Sequence, residues 1–296
     1  MNHSGSEGYV IRRMARAELD AALKSAAAEG WNPGLSDAEA FWAADGDGFF
    51  VGELDGRVAA SISAVRYAAK GLSGQAGQAS AAFGFIGLYI VRQGLRGRGL
   101  GKRLWDAAQA SLDEVPTIGL DAVLAQVDTY RKAGFALARI SRRYEGTAGG
   151  EAPPDLHPLA HTPLAEVLAY DACCFPARRE AFLRTWLGLP GHVALGRSKG
   201  GRLAGFGVLR PCGVGSKIGP LFADDAETAQ SLLRGLCASA EPGPVYFDTP
   251  ESNPAAVRLA EAHGMRVVFQ TGRMYRGPAP EYDLDREFGV TSFELG

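Results

Sequence analysis

The stretch from 92 to 102, Arg-Gln-Gly-Leu-Arg-Gly-Arg-Gly-Leu-Gly-Lys, holds the clearest chemistry in the sequence. It lies between an almost wholly apolar run at 83–91, which reads as a central strand, and a segment at 100–112. That segment puts Leu104, Ala107, Ala108 and Leu112 on one helical face. A strand that ends in a glycine loop and opens a helix presents consecutive backbone N–H groups, and the helix dipole adds partial positive charge. Gly97, Gly99 and Gly101 let the backbone come close to a ligand, and Arg96, Arg98, Lys102 and Arg103 surround it with cations. The guest that suits such a loop is a pyrophosphate. A P-loop would need glycine in place of Arg96 and a Ser or Thr in place of Arg103. A dinucleotide fingerprint would need G-x-G-x-x-G after the first strand of its unit, whereas these glycines alternate after about the fourth. The bland alternative is an ordinary glycine-rich strand-to-helix turn.

Arg96, Gly99 and Gly101 match the pyrophosphate motif Gln/Arg-x-x-Gly-x-Gly/Ala, and Tyr130-Arg131-Lys132-Ala133-Gly134-Phe135 matches a closing Tyr-x-x-x-Gly-Phe segment at a typical distance. At these residues the sequence resembles the GNAT acetyltransferase superfamily, over about residues 9–146. The resemblance implies acetyl-CoA as co-substrate, with its pyrophosphate on Arg96, Gly97, Arg98, Gly99, Leu100, Gly101 and Lys102. It also implies backbone contacts from Tyr89, Ile90 and Val91 to the pantetheine and thioester. The implied reaction is transfer of an acetyl group to a primary amine by direct attack. Tyr130 would be the general acid that protonates the departing thiolate, or else a ring packed on the sheet. Many relatives carry a glutamate on the strand before the loop, but 83–91 holds no carboxylate. Asp121, at the end of the next strand, is the candidate base; a turn or cap role and a water chain are the alternatives. Gly87 suggests room for an acyl group longer than acetyl.

The acceptor is expected near Glu29-Gly30-Trp31-Asn32-Pro33-Gly34. Trp31 offers an aromatic face to an alkyl or cationic group, and Asn32 offers both a donor and an acceptor. A Pro-Gly turn beside a core tryptophan is the other reading. In the second half, Tyr170-Asp171-Ala172-Cys173-Cys174-Phe175-Pro176-Ala177-Arg178-Arg179 resembles a signature stretch of C-terminal modules in a bacterial two-domain GNAT group. Asp171 could bind an amine and Arg178 a carboxylate or phosphate; a helix end with a solvated basic cluster is the alternative.

These residues need an α/β scaffold. Asp55-Gly56 between apolar runs predicts a hairpin, helices are expected at 18–29, 37–44 and 127–133, and strands at 118–122 and 135–144. The second half repeats this order. The hairpin at 193–210, the run Ile218-Gly219-Pro220-Leu221-Phe222, the strand at 245–248 and Gly264-Met265 follow their first-half counterparts at similar offsets. The fold expected is therefore α/β (α+β), with two GNAT-like domains in tandem; the resemblance implies a mixed, mostly antiparallel sheet flanked by helices in each. The boundaries read as a catalytic domain at 9–146, a linker at 147–156 rich in Gly and Pro, a degenerate domain at 157–280 and a tail at 281–296. At the place of the cationic loop the second half has Asp224, Asp225 and Glu227, and Ala260 stands where the first half has Tyr130. Carboxylates there repel pyrophosphate, so the second domain should bind no CoA.

Composition excludes several classes. The chain has 296 residues and a net charge of −2, with no basic field for nucleic acid. No apolar run approaches the roughly 18 residues of a membrane span, and 1–8 lacks a signal-peptide core, so a cytoplasmic protein is expected. The four cysteines match no zinc pattern, so no metal is expected. Two further functions stay open: a CoA-binding regulatory protein without turnover, and a protein N-acetyltransferase acting, for instance, on ribosomal N-termini. A small-molecule amine acceptor is the preferred partner.

Overall fold

Asp55 and Gly56 take φ of 51° and 74°, the double left-handed turn that matches the twist of a two-residue hairpin. They join β2 (Phe49–Leu54) to β3 (Arg57–Ala68), which pair antiparallel. The computed structural model describes residues 8–68 and 81–296. Ahead of the hairpin lie β1 (Tyr9–Arg13), α1 (Arg16–Ala28) and α2 (Asp37–Ala44). Behind it come β4 (Ala81–Val91), α3 (Leu100–Ala110), β5 (Ile118–Val123), α4 (Val127–Lys132) and β6 (Ala136–Thr147).

The second half runs through the same series. It consists of β7 (Leu156–Pro158), α5 (Leu164–Cys174), α6 (Glu180–Gly188), β8 (Val193–Lys199), β9 (Arg202–Pro211), β10 (Ser216–Ala223), α7 (Ala226–Ala238), β11 (Pro244–Pro250), α8 (Pro254–Ala262) and β12 (Arg266–Arg276). A short strand, β13 (Glu287–Gly289), follows. The expected repeat is present element for element.

All the strands join one sheet, in the order β1-β2-β3-β4-β5-β12-β6-β11-β10-β9-β8-β7, with β13 beside β10. The last strand of each half has crossed to the other. β12 pairs antiparallel with β5 of the first half, and β6 pairs antiparallel with β11 of the second. The two exchanged strands also pair with each other. A boundary near residue 147 therefore separates the repeats in sequence but does not separate two sheets.

Buried ion pairs stitch this exchange. Arg273 on β12 meets Asp121 on β5 at 2.7 Å, Arg143 on β6 meets Asp248 on β11 at 2.7 Å, and Arg139 on β6 meets Glu287 on β13 at 2.8 Å. Each pair is almost wholly withdrawn from water, so removing one partner leaves an uncompensated charge.

The helices sort by face. Leu104, Trp105, Ala108 and Leu112 pack against Phe50, Ile62, Ile86, Leu120 and Phe135 on one side of the first half. On the other side, α1 and α2 share a core with α5 and α6, where Phe41 stacks on Trp186 at 6.4 Å. α7 and α8 cover the second half through Leu232, Leu236, Ala256 and Leu259. The segment expected as a tail at 281–296 is instead largely buried from Glu287 onward. It carries Phe288, Val290 and Leu295 into the core, and this apolar content explains why it packs rather than trailing in solvent. All four cysteines are free thiols. Among the described residues no helix is long and apolar enough to cross a membrane, and no cluster of His, Cys, Asp and Glu is placed to hold a metal ion.

Candidate active site

β4 and β5 run parallel for only three residue pairs, from Gly84–Ile118 to Ile86–Leu120, and then part. Between them opens a cavity of about 430 Å³. It follows β4 from Ile86 to Val91 and reaches Arg96 and Glu29 at the loop. Across β4, Ser61 and Ser63 on β3 face Ile90 and Gly87, so β4 carries one extra residue there. Leu88 sits in this bulge with φ of 47°, and its carbonyl accepts a 3.0 Å hydrogen bond from the Ser61 hydroxyl. The edge of β4 that faces away from β3, with Tyr89, Ile90 and Val91, lies beside the cavity; these are the residues for which the family resemblance implies backbone contacts to a thioester arm.

The loop leaves open space and free backbone N–H groups at the start of α3. Gly97 and Gly99 take φ of 76° and 77°, conformations that L side chains rarely adopt, and the space beside both Cα atoms is open. Gly99 caps α3 and leaves its first N–H groups without a side-chain partner. Gly101 is required for another reason: a Cβ there would lie 2.6 Å from the Tyr89 hydroxyl. Arg96 is anchored, donating to the Val91 carbonyl at 2.9 Å and pairing with Glu29. Lys102 pairs with Asp106, and Arg103 lies over the Tyr9 ring at 4.9 Å. Arg98 is exposed and, among the described residues, has no ion-pair partner.

Tyr130 lines the cavity from α4, its ring packed on Trp105 at 5.3 Å. Burial pushes its phenol above the ordinary tyrosine value, so it stays protonated. Trp31 lines the same cavity, as do Phe269 and Thr271 of β12, Arg143 of β6, and Phe293 and Glu294 of the C-terminal segment.

Other expected site residues are placed differently. Asp121 borders the cavity, but its two oxygens accept from Arg273 at 2.8 and 2.7 Å and its side chain is buried. A carboxylate held in that fork ties β5 to β12, with both oxygens already engaged. Asn32 spends its amide on the second half: its Nδ2 donates to the Val214 carbonyl at 2.9 Å, and its Oδ1 accepts from the Val214 N–H at 3.0 Å. Asp171 is buried against Arg179 at 2.6 Å, away from the cavity lining, and Arg179 also donates to the Thr291 hydroxyl at 3.0 Å. Arg178 is likewise outside the lining, and its N–H donates to the Ala68 carbonyl at 3.0 Å. A Cβ on Gly87 would meet the Glu294 carbonyl at 2.0 Å, so the space beside this glycine holds the crossing backbone rather than spare room for acyl carbons.

Sequence reasoning missed Arg143, Phe269, Phe293 and Glu294. Their signals were present: arginines inside a strand pattern, and Val290, Phe293 and Leu295 in a supposed tail.

The second half has the same frame with its opening filled. β10 and β11 run parallel from Ser216–Val245 to Ile218–Phe247 and then diverge. β13 enters beside β10, pairing Leu221 with Gly289 and Phe222 with Glu287, and the Val290 N–H donates to the Asp248 carbonyl of β11 at 2.8 Å. The start of α7 is capped from within, since the Asp225 carboxylate accepts from the Thr228 N–H at 2.8 Å.

Known proteins share this arrangement. The family model described as "Acetyltransferase (GNAT) family" matches residues 16–135, and that described as "Acetyltransferase (GNAT) domain" matches residues 167–289. Holothin acyltransferase of Pseudoalteromonas sp. (strain SANK 73390) is 28% identical over 274 residues, which cover 92% of this chain and 89% of that protein. Uncharacterized N-acetyltransferase YitH of Bacillus subtilis (strain 168) is 26% identical over 172 residues, 57% of this chain and 61% of that protein. A solved structure of a putative acetyltransferase from Pyrococcus horikoshii superposes with a TM-score of 0.81 at 21% identity, covering 98% of this chain and 96% of that one. With a GNAT match in each half and one strand–loop–helix frame repeated in both, the chain belongs to the GNAT acetyltransferases and is an N-acetyltransferase made of two GNAT domains in tandem.

Proposed function

We propose that the protein transfers an acetyl group from acetyl-CoA to the primary amine of a small molecule, at one site per chain, in the cavity between β4 and β5. The observation that carries this reading is the contrast between the two openings. The first is open and leads to a glycine-capped helix start with an exposed arginine. The second is occupied by β13 and ends at a carboxylate-capped helix.

In this reading the loop from Arg96 to Lys102 holds the pyrophosphate through the N–H groups at the start of α3, helped by Arg98. The free edge of β4 holds the pantetheine arm and the thioester. The amine nitrogen attacks the thioester carbonyl carbon, the C–S bond breaks, and the sulfur leaves with the electron pair. Tyr130, kept protonated by burial, supplies the proton that makes the thiol. Trp31, Phe269 and Phe293 wall the acceptor end, and this bounded space favours a small amine over an open peptide groove.

Calorimetric titration should give one acetyl-CoA per chain, and an amine panel read by released thiol should find an acceptor. Two sites per chain, or none, would refute the assignment.

A further inference from the structure

Glu294 is among the residues that line the cavity. Glu294 lies on the C-terminal segment and is 2% exposed. Its Oε2 is buried and, among the described residues, has no hydrogen-bond partner. A buried carboxylate without a partner is costly. The nearby cations are committed elsewhere. Arg143 gives both arms of its fork to Asp248, at 2.7 and 2.8 Å, and one N–H to the Trp31 carbonyl. Lys217 donates to the carbonyls of Asn32 at 2.8 Å and Trp31 at 3.4 Å. The other carboxylates on the cavity are paired: Asp121 is closed by Arg273, and Glu29 meets Arg96.

The segment that carries Glu294 is fixed at every step. Arg179, held by Asp171, donates to Thr291; Arg210 donates to the Thr291 carbonyl at 3.2 Å. The Ser292 hydroxyl accepts from the N–H groups of Glu294 and Leu295, and Tyr67 donates to the Leu295 carbonyl at 3.0 Å. Gly87, having no side chain, lets the segment cross β4 at the point where the strand leaves β5. A rigid carrier therefore holds an unpaired carboxylate among the residues that line the cavity, beside Trp31, Phe269 and Phe293, the last two of which also stack on the Arg143 guanidinium.

We propose that Glu294 is the acceptor-binding group and the proton acceptor: its carboxylate takes the ammonium of a cationic primary amine and removes one proton before attack. This rests on the function proposed above. Glu294 becomes the carboxylic acid, and the amine's lone pair forms the new C–N bond. The C–S bond then breaks, and the sulfur's electron pair takes a proton from Tyr130. The second nitrogen proton restores the phenol, and Glu294 releases the first to solvent as the products leave. Charged or titratable groups that line the cavity with Glu294 are Glu29, Tyr89, Arg96, Asp121, Tyr130 and Arg143; Arg143 and the buried Lys217 both feel the Glu294 charge.

The test uses the full chain. Glu294→Gln should bind acetyl-CoA within about twofold of the parent by calorimetry. Its kcat/KM for the amine should fall by ~10²–10⁴-fold. The loss should shrink as pH rises towards the amine's own pKa, because the free base then no longer needs a proton acceptor. Since the substitution removes an unpaired buried charge, the melting temperature should not fall. Glu294→Asp, which keeps the charge but withdraws it by one methylene, should retain acetyl-CoA binding and lose less turnover than Glu294→Gln. Parent-like turnover in Glu294→Gln, or in Glu294→Ala should the first variant not fold, overturns the role of Glu294 alone. A parent protein that neither binds acetyl-CoA nor acetylates any amine overturns the function on which it rests as well.

Discussion

Gly99 and Tyr130 separate binding from turnover. Gly99 holds φ of 77° beside open space, so Gly99→Val strains the backbone and puts a branched side chain where the ligand approaches. A loop that relaxes out of this conformation to relieve ~1–2 kcal/mol of strain must regain it on binding, so acetyl-CoA affinity, measured by calorimetry, should weaken by about tenfold. Tyr130→Phe keeps the ring on Trp105 and removes the proton, so kcat should drop by ~10²–10⁴-fold while acetyl-CoA affinity holds. Burial raises the Tyr130 phenol above its ordinary 10.0, so its protonated, donating form persists to higher pH. The kcat profile should accordingly show no loss from Tyr130 ionisation up to that pH. These residues were legible in the sequence because a loop motif and a short helical signature are local patterns. Asn32, Asp171 and Asp121 were not legible: their partners Val214 and Arg273 lie far along the chain, and Arg179 is near in sequence but fixes Asp171 by burial rather than by motif. A polar residue type shows what a side chain can do; only the fold decides which partner claims it.

Elements were readable where one segment determines its own shape. The Asp55-Gly56 turn, the apolar β4 and the amphipathic α3 all form where the pattern placed them. Strand neighbours were not readable, because β6 and β12 satisfy their backbone groups equally well with any sheet edge in register. What selects the exchanged pairing is side-chain chemistry at the joints, above all Asp121 opposite Arg273. Asp121→Ala should leave Arg273 buried and unpaired and cost about 3–5 kcal/mol, read as a lower midpoint in denaturant unfolding. The same variant would retain near-parent turnover per folded molecule, as expected of a residue that joins strands rather than moves protons.

Across the molecule, duplication was legible and interdependence was not. Weak similarities in a common order revealed two repeats, but the crossing of their last strands leaves no signal in composition. An isolated segment 1–147 would retain β5 with a bare edge and β6 with neither of its neighbours. It should not give a stable monomer by size-exclusion chromatography and should show little amide protection in β6, whereas the full chain protects both. The exchange also sets an order of events during biosynthesis. β6 ends at Thr147, and its partner β12 is complete only at Arg276, about 130 residues later, so at ~5–20 residues per second the nascent first half waits on the order of 10 s for its closing strand. During that interval β5 and β6 present unfilled edges to other nascent chains. A cell making this protein from closely spaced ribosomes must shield those edges with a chaperone or risk strands closing onto the neighbouring copy.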